Sequence, residues 1–180
     1  MDIHIAEWRP GELSPADCDR DLEMLAEVLH ASVYGGASIG FITPFSIEEA
    51  LAFWRDRVMP GVIAGARRML VAREGDRIIG TVQLIVDTMP NQPHRAEVAK
   101  MMVHPGARRQ GIGRKMMTEI EAVAREDHRT LLTLDTGVDN PARHLYLAMG
   151  FVEVGEIPRY ALQALTPELV GTMIMYKELR

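Results

Sequence analysis

Residues 105–115 read Pro-Gly-Ala-Arg-Arg-Gln-Gly-Ile-Gly-Arg-Lys, with four basic side chains and no acidic one. The chain as a whole leans the other way, with 20 Lys and Arg against 25 Asp and Glu, a net charge of −5. An apolar strand-like run precedes this segment. From Gly111 onward Ile112, Met116, Ile120 and Val123 recur at helical spacing. A helix N-terminus carries unpaired N–H groups and a partial positive charge, so it suits an anion. Gly111 and Gly113 let backbone approach a diphosphate with no Cβ in the way, and Arg108, Arg109, Gln110 and Arg114 surround them. A nucleotide P-loop does not fit, because Ile112-Gly113 stand where Lys and Ser/Thr are required. A dinucleotide fingerprint fails too, since Met116 occupies its third small-residue position.

The segment resembles the R/Q-x-x-G-x-G/A signature of the GCN5-related N-acetyltransferases, with Arg108, Gly111 and Gly113 in the three places. The run from Ala142 to Phe151, ARHLYLAMGF, resembles the same family's second motif, A-x-x-L-Y-x-x-x-G-F. Residues 95–113, the Leu134-Asp135-Thr136 run, GEIPRYA at 155–161 and GGASIGF at 35–41 together resemble the tabtoxin-resistance type, which acetylates the amine of an amino-acid antimetabolite. The resemblance implies a mixed α/β fold and acetyl-CoA as cosubstrate. It also implies that the turn containing Arg108, Arg109, Gln110, Gly111, Ile112, Gly113 and Arg114 grips the diphosphate. The strand before the turn is expected to splay from its neighbour, which frees backbone N–H groups of Met101, Met102 and Val103 for the pantetheine arm and the acetyl oxygen.

Acetyl transfer from a thioester to an amine asks for few groups. A carboxylate or water chain must take a proton from the ammonium form, an N–H must stabilise the tetrahedral oxygen, and the leaving thiolate benefits from an acid. No metal is required. The resemblance implies the role of base for Glu97, six residues before Val103, although an ion pair with Arg95 or Lys100 would also explain it. Asp135, at the end of LLTLD, is a second candidate, and a turn-forming Asp beside Thr136-Gly137 is its plainer explanation. Tyr146 is the expected acid, with an unperturbed pKa of about 10. Asn140 is a candidate for the pantetheine arm, and equally a helix cap. His104 is expected to be structural, and His144 to point to a different helix face from Tyr146. Cys18 sits among Asp17, Asp19 and Asp21, which disfavour a thiolate.

These groups need a scaffold. A short strand over 3–8 precedes a helix opened by Ser14-Pro15, with Leu22, Leu25, Val28 and Leu29 on its apolar face. The glycine-rich loop 34–41 follows. Its Ser38 and Phe41 are placed to meet a substrate, though a plain connector explains it as well. Ser46 and Glu49 form a capping-box pattern before a helix expected to stop near Pro60-Gly61. Strands are predicted over 69–73, 78–87, 96–103 and 131–135, with Glu74-Gly75-Asp76 as a hairpin turn. Asn140-Pro141 starts a last helix that Gly150 ends, and strands near 151–157 and 172–179 close the chain. The order predicts one domain over 1–180: a mixed central sheet of six to seven strands flanked by about four helices.

With 180 residues, 47% of them hydrophobic and 25% charged, a substantial single core is expected and wholesale disorder is not. The net charge gives no reason to expect a nucleic-acid partner, and no run approaches the roughly 20 apolar residues of a membrane helix. One cysteine and no signal pattern point to the cytoplasm. The expected partner is a small-molecule amine, with a homodimer left open. Two other readings stand beside this: a non-enzymatic acyl-CoA-binding module, and an enzyme acting on a protein or peptide amine.

Overall fold

The structure is a computed structural model that describes residues 3–179. Among these, seven strands form one sheet: β1 (Ile3–Glu7), β2 (Arg67–Glu74), β3 (Arg77–Ile85), β4 (Arg95–Val103), β5 (Leu131–Gly137), β6 (Val152–Leu162) and β7 (Leu169–Glu178). Their spatial order is β1-β2-β3-β4-β5-β7-β6. Every neighbouring pair is antiparallel except β4 and β5. That parallel pair is joined by the crossover helix α4 (Ile112–Glu126), the connection that parallel strands require.

Two layers of helix cover the sheet. On one face lie α1 (Pro15–Tyr34) and a continuous rod running from α2 (Ile47–Ala52) through a π-helical turn (Phe53–Val58) to α3 (Met59–Ile63). On the other lie α4 and α5 (Ala142–Ala148). The mixed sheet with four helical rods is the architecture that the order of elements predicts. Both early caps form: the Ser14 hydroxyl accepts the Asp17 N–H at 3.2 Å, and Ser46 and Glu49 exchange bonds of 3.1 and 2.7 Å.

Strand alternation decides which side chains meet the chemistry. In β5, Leu132, Leu134 and Thr136 are buried, and the two leucines join the core under α4. Thr133 and Asp135 therefore point to the opposite face. In β4, Ala96 and Val98 enter the same α4-side core, which leaves Arg95 and Glu97 beside Thr133 and Asp135.

Three boundaries depart from expectation. The second helical rod runs past Pro60 to Ile63. Proline normally collides with the carbonyl four residues back; here the preceding π turn, in which the Met59 N–H bonds Trp54, widens the helix at that point. Strand β6 continues through Pro158 to Leu162, because β6 is the edge of the sheet and its pairing with β7 shifts register between Ile157 and Ala161. Finally, β5 extends to Gly137, so Asp135 belongs to a strand and not to a turn.

Candidate active site

The cationic segment forms a tight passage from β4 into α4. A 3₁₀ turn over Pro105–Ala107 is capped by His104, whose Nδ1 accepts the Gly106 N–H at 3.2 Å. Burial lowers the His104 pKa, and Arg77 and Arg108 push the same way against Glu27. Arg109 (φ 64°) and Gly111 (φ 76°) both adopt left-handed backbone, and Gly111 is the residue at which α4 begins. Among the described residues no side chain caps that end. At Gly113 a Cβ would stand 3.3 Å from Leu145 Cδ2 and 3.8 Å from Met101 Sδ, so glycine lets α4 start tight against α5 and β4.

The expected phosphate-binding residues divide by orientation. Arg109, Gln110 and Arg114 are exposed at the turn. Arg108 spends its Nε on the Val103 carbonyl at 3.1 Å, which ties the turn to the end of β4. The side chain of Ile112 is in the core, 2% exposed, so only its backbone is available to a ligand.

Beside the turn the sheet opens. Strands β4 and β5 pair only at Arg95–Leu131, Ala96–Leu132 and Glu97–Thr133, and β4 from Val98 to Val103 has no partner on β5. Pairing with β3 is also interrupted: Met102 faces Thr81 and Ala99 faces Gln83, so Lys100 and Met101 together oppose Val82. This is a β-bulge, with Lys100 in left-handed backbone at φ 50°. The bulge sends Met102 into the core under α1 and Met101 toward α4 and α5. The splay at Met101, Met102 and Val103 is the one expected from the resemblance.

Glu97 is half-buried at the mouth of this gap, and among the described residues no cation pairs with it. The alternative ion pairs do not form: Arg95 turns to Thr133 Oγ1 at 3.1 Å and to Gln92, and Lys100 points elsewhere. The Asp135 carboxylate is exposed and accepts the Thr172 hydroxyl at 2.8 Å. The turn-forming explanation for Asp135 is thereby corrected. Tyr146 is 6% exposed, with its ring tilted against Phe151 at 5.8 Å. Burial first, and the Asp135 charge second, push its phenol well above the ordinary tyrosine range, so it holds its proton. Asn140 Oδ1 accepts the Ala142 N–H at 2.9 Å, a cap on α5 that leaves its amide N–H free. His144 is exposed while Tyr146 is buried, on different faces as expected. Burial, with Asp19 and Asp21, raises the Cys18 pKa.

The loop after α1 roofs the gap. A Cβ on Gly137 would lie 3.6 Å from Ser38 Cβ and 3.8 Å from Asn140 Cβ, so Ser38 sits over the end of β5. The loop is anchored at Thr43, whose N–H and hydroxyl both donate to the Ala164 carbonyl, at 2.8 and 3.1 Å. Phe41 packs at 4.8 Å from Phe45 and edge-on at 4.9 Å from Phe53. Beneath them is a cleft of about 610 Å³ lined by residues that include Phe41, Phe53, Arg57 and Lys100. Lys100 and Phe53 line this cleft, and sequence reasoning did not single them out as site residues. The one available signal was a lysine in an otherwise apolar run before the turn.

The acetyltransferase (GNAT) family model matches residues 31–151, two thirds of the chain, and spans the turn, the splayed strands and α5. The chain belongs to that family. A relative named IAA acetyltransferase, from Azospirillum brasilense, is 36% identical over 94 residues; the match covers 52% of this chain and 60% of that protein, about three fifths of the relative's length. Among solved structures, yncA of Salmonella typhimurium with its cofactor acetyl-CoA shares the fold at a TM-score of 0.78 and 16% identity, over 100% of this chain and 95% of that one. The ribosomal-protein-alanine N-acetyltransferase of Brucella melitensis also has a TM-score of 0.78, at 21% identity, over 98% and 99% of the two chains. Among the described residues no helix is long and apolar enough to cross a membrane.

Proposed function

We propose that the protein transfers the acetyl group of acetyl-CoA to the primary amine of a small molecule, directly from one bound substrate to the other. The observation that carries this reading is the parted β4–β5 pair, with a cationic helix start at its open end and two carboxylates, Glu97 and Asp135, along its walls. The cofactor fits what is there: uncapped N–H groups at the start of α4 and the exposed Arg109 and Arg114 for its phosphates, and the unpaired edge of β4 around Met101–Val103 for its extended arm. When bound it supplies an acyl thioester. The residues then have three tasks. Glu97 or Asp135 takes a proton from the acceptor's ammonium so that nitrogen can attack. Backbone N–H groups of β4 polarise the carbonyl. The Tyr146 phenol, kept protonated by its burial, gives its proton to the departing sulfur.

A small acceptor is favoured over a protein chain by the roof. Ser38 lies over Gly137, and Thr43 is bonded to Ala164, which holds the loop beside the gap and leaves less room there for an extended peptide. The likeness to the tabtoxin-resistance type carries the finer reading that the amine belongs to an amino-acid-like toxin or antibiotic.

Free-thiol release from acetyl-CoA, followed across amino acids, aminoglycosides, polyamines and peptides, tests the activity. Tyr146→Phe is expected to lower turnover while acetyl-CoA still binds, and unchanged turnover would remove Tyr146 from the mechanism. Tight acetyl-CoA binding with silence on every acceptor would favour an acyl-CoA-binding module instead.

A further inference from the structure

We propose that Lys100 is a specificity-determining residue that holds an anionic group of the acceptor, in the simplest case a carboxylate, so that the preferred acceptor is a zwitterion. The inference rests on the acetyltransferase reading above and supplies the acceptor's second point of attachment.

Lys100 is put in place by a deliberate irregularity. It stands in the β4 bulge with left-handed backbone, φ 50°, a conformation that a lysine adopts only where the surroundings enforce it. Its ammonium lies 6.0 Å from the ring centres of both Phe41 and Phe53, and a Cβ on Gly40 would come within 3.6 Å of it. The cation is thus held where the roof meets the cleft. Aromatic faces attract it but offer no hydrogen-bond acceptor for its three N–H groups.

Among the described residues no carboxylate forms an ion pair with it. The cleft contains Glu49 and Asp56, but Glu49 bonds the Ser46 N–H at 2.7 Å and Asp56 bonds Arg55 at 3.2 Å. Glu97 and Asp135 act on Lys100 from the β4–β5 gap, and neither forms an ion pair with it. Arg57 lines the same cleft and Arg67 adds further positive charge. Burial lowers the Lys100 pKa against the opposing pull of Asp135 and Glu97.

The site therefore presents the Lys100 ammonium at the inner end of the cleft, against Phe41 and Phe53, and the carboxylates Glu97 and Asp135 in the gap. A simple ammonium ion entering here is repelled at one end and attracted at the other. An acceptor with an anion next to its amine satisfies both, its anion taking the N–H groups of Lys100 and its ammonium facing Glu97 and Asp135.

Matched acceptors test this: L-leucine against isoamylamine, L-phenylalanine against phenethylamine, and L-tryptophan against tryptamine, each in the thiol-release assay. The amino acid of a pair is expected to give at least a tenfold higher kcat/KM than its amine. Lys100→Met should raise KM for the amino acids at least tenfold, with kcat changed less than threefold and the amines unaffected, and Lys100→Arg should recover most of the loss. A fall in kcat on amines and amino acids alike would overturn the anchor and make Lys100 a proton carrier or a structural residue. A second readout does not need turnover: amino acids, and not the matching amines, should slow trinitrophenylation of Lys100 in the wild-type protein, followed by peptide mass spectrometry. Equal protection by both, or by neither, overturns the proposal. Protection by amino acids with no thiol release from any acceptor would leave the anchor standing and sink the acetyltransferase reading.

Discussion

Arg109 is the residue at which stability and cofactor binding should move in opposite directions. It holds left-handed backbone at φ 64° in the middle of the cationic turn, is exposed, and is followed two residues later by Gly111 in the same region. Left-handed backbone costs a residue with a Cβ about 1–2 kcal/mol. Glycine escapes that cost but gains freedom in the unfolded chain worth about 0.4–1 kcal/mol. Arg109→Gly should therefore stabilise the free protein by about 0.5–1 kcal/mol, or about 1–4 °C in Tm for a domain of this size. It should also relieve repulsion among the four cations of residues 105–115. Under the proposed function the same change removes a charge-assisted contact to phosphate. An exposed, solvent-screened contact of this kind is worth about 1.4 kcal/mol, the low end of the range, which is about tenfold in Kd. At acetyl-CoA a hundredfold above the wild-type Kd, ligand stabilisation then falls from about 2.7 to about 1.4 kcal/mol. Calorimetric scans with and without acetyl-CoA, together with titration calorimetry, read both effects. Arg109→Ala is the control, matching the affinity loss without the gain in Tm. A Tm for free Arg109→Gly at or below wild type would refute the claim of strain. An unchanged Kd would take Arg109 out of cofactor contact.

The turn should also sense acid through His104. Its folded pKa lies below the ordinary 6.5, and only the unprotonated Nδ1 can accept the Gly106 N–H. The stability it contributes is present above pH 6.5 and lost as pH falls through the folded pKa. His104→Asn, which keeps a short acceptor, should abolish any loss of Tm and of acetyl-CoA affinity in that window; a persisting loss would clear His104. At the far end of the sheet, Arg68 bridges Glu7 and Asp127, with 3.1 Å to one Glu7 oxygen and 2.5 Å to Asp127. Burial raises the Glu7 pKa, but Arg68 and Arg9 outweigh it and hold it below the ordinary 4.5. This contribution is complete above pH 4.5 and disappears as pH falls through the lowered value. Arg68→Met should cost about 1–3 kcal/mol in urea unfolding at neutral pH and flatten that acid limb. Exchanging each carboxylate alone assigns the base: Glu97→Gln is expected to lower turnover about 10²–10⁴-fold. Asp135→Asn keeps an acceptor for Thr172 and is expected to lower it less. The reverse ranking would transfer the role to Asp135.

The cationic turn was legible because its geometry is local. Gly111, Gly113 and four cations within eleven residues need only a strand before them and a helix after them, and both follow from apolar periodicity. Ser14, Ser46 with Glu49, and Asn140 were equally readable, because a cap is a bond between residues two or three apart. Glu97, Asp135 and Tyr146 were readable as candidates through motif spacing, but their surroundings were not. Asp135 read as a turn residue because its bond to Thr172 spans 37 positions.

What the sequence by itself determined is the order of elements, the caps, the cationic helix start and the family they resemble, all properties carried by residues within one or two turns of each other. Tertiary structure alone decided that β4 parts from β5 after Glu97, that a bulge turns Lys100 toward Phe41 and Phe53, and that the loop of Ser38 is moored to Ala164. Each of these depends on register or packing between strands and loops far apart in the chain, where a one-residue slip reverses the face that a side chain occupies.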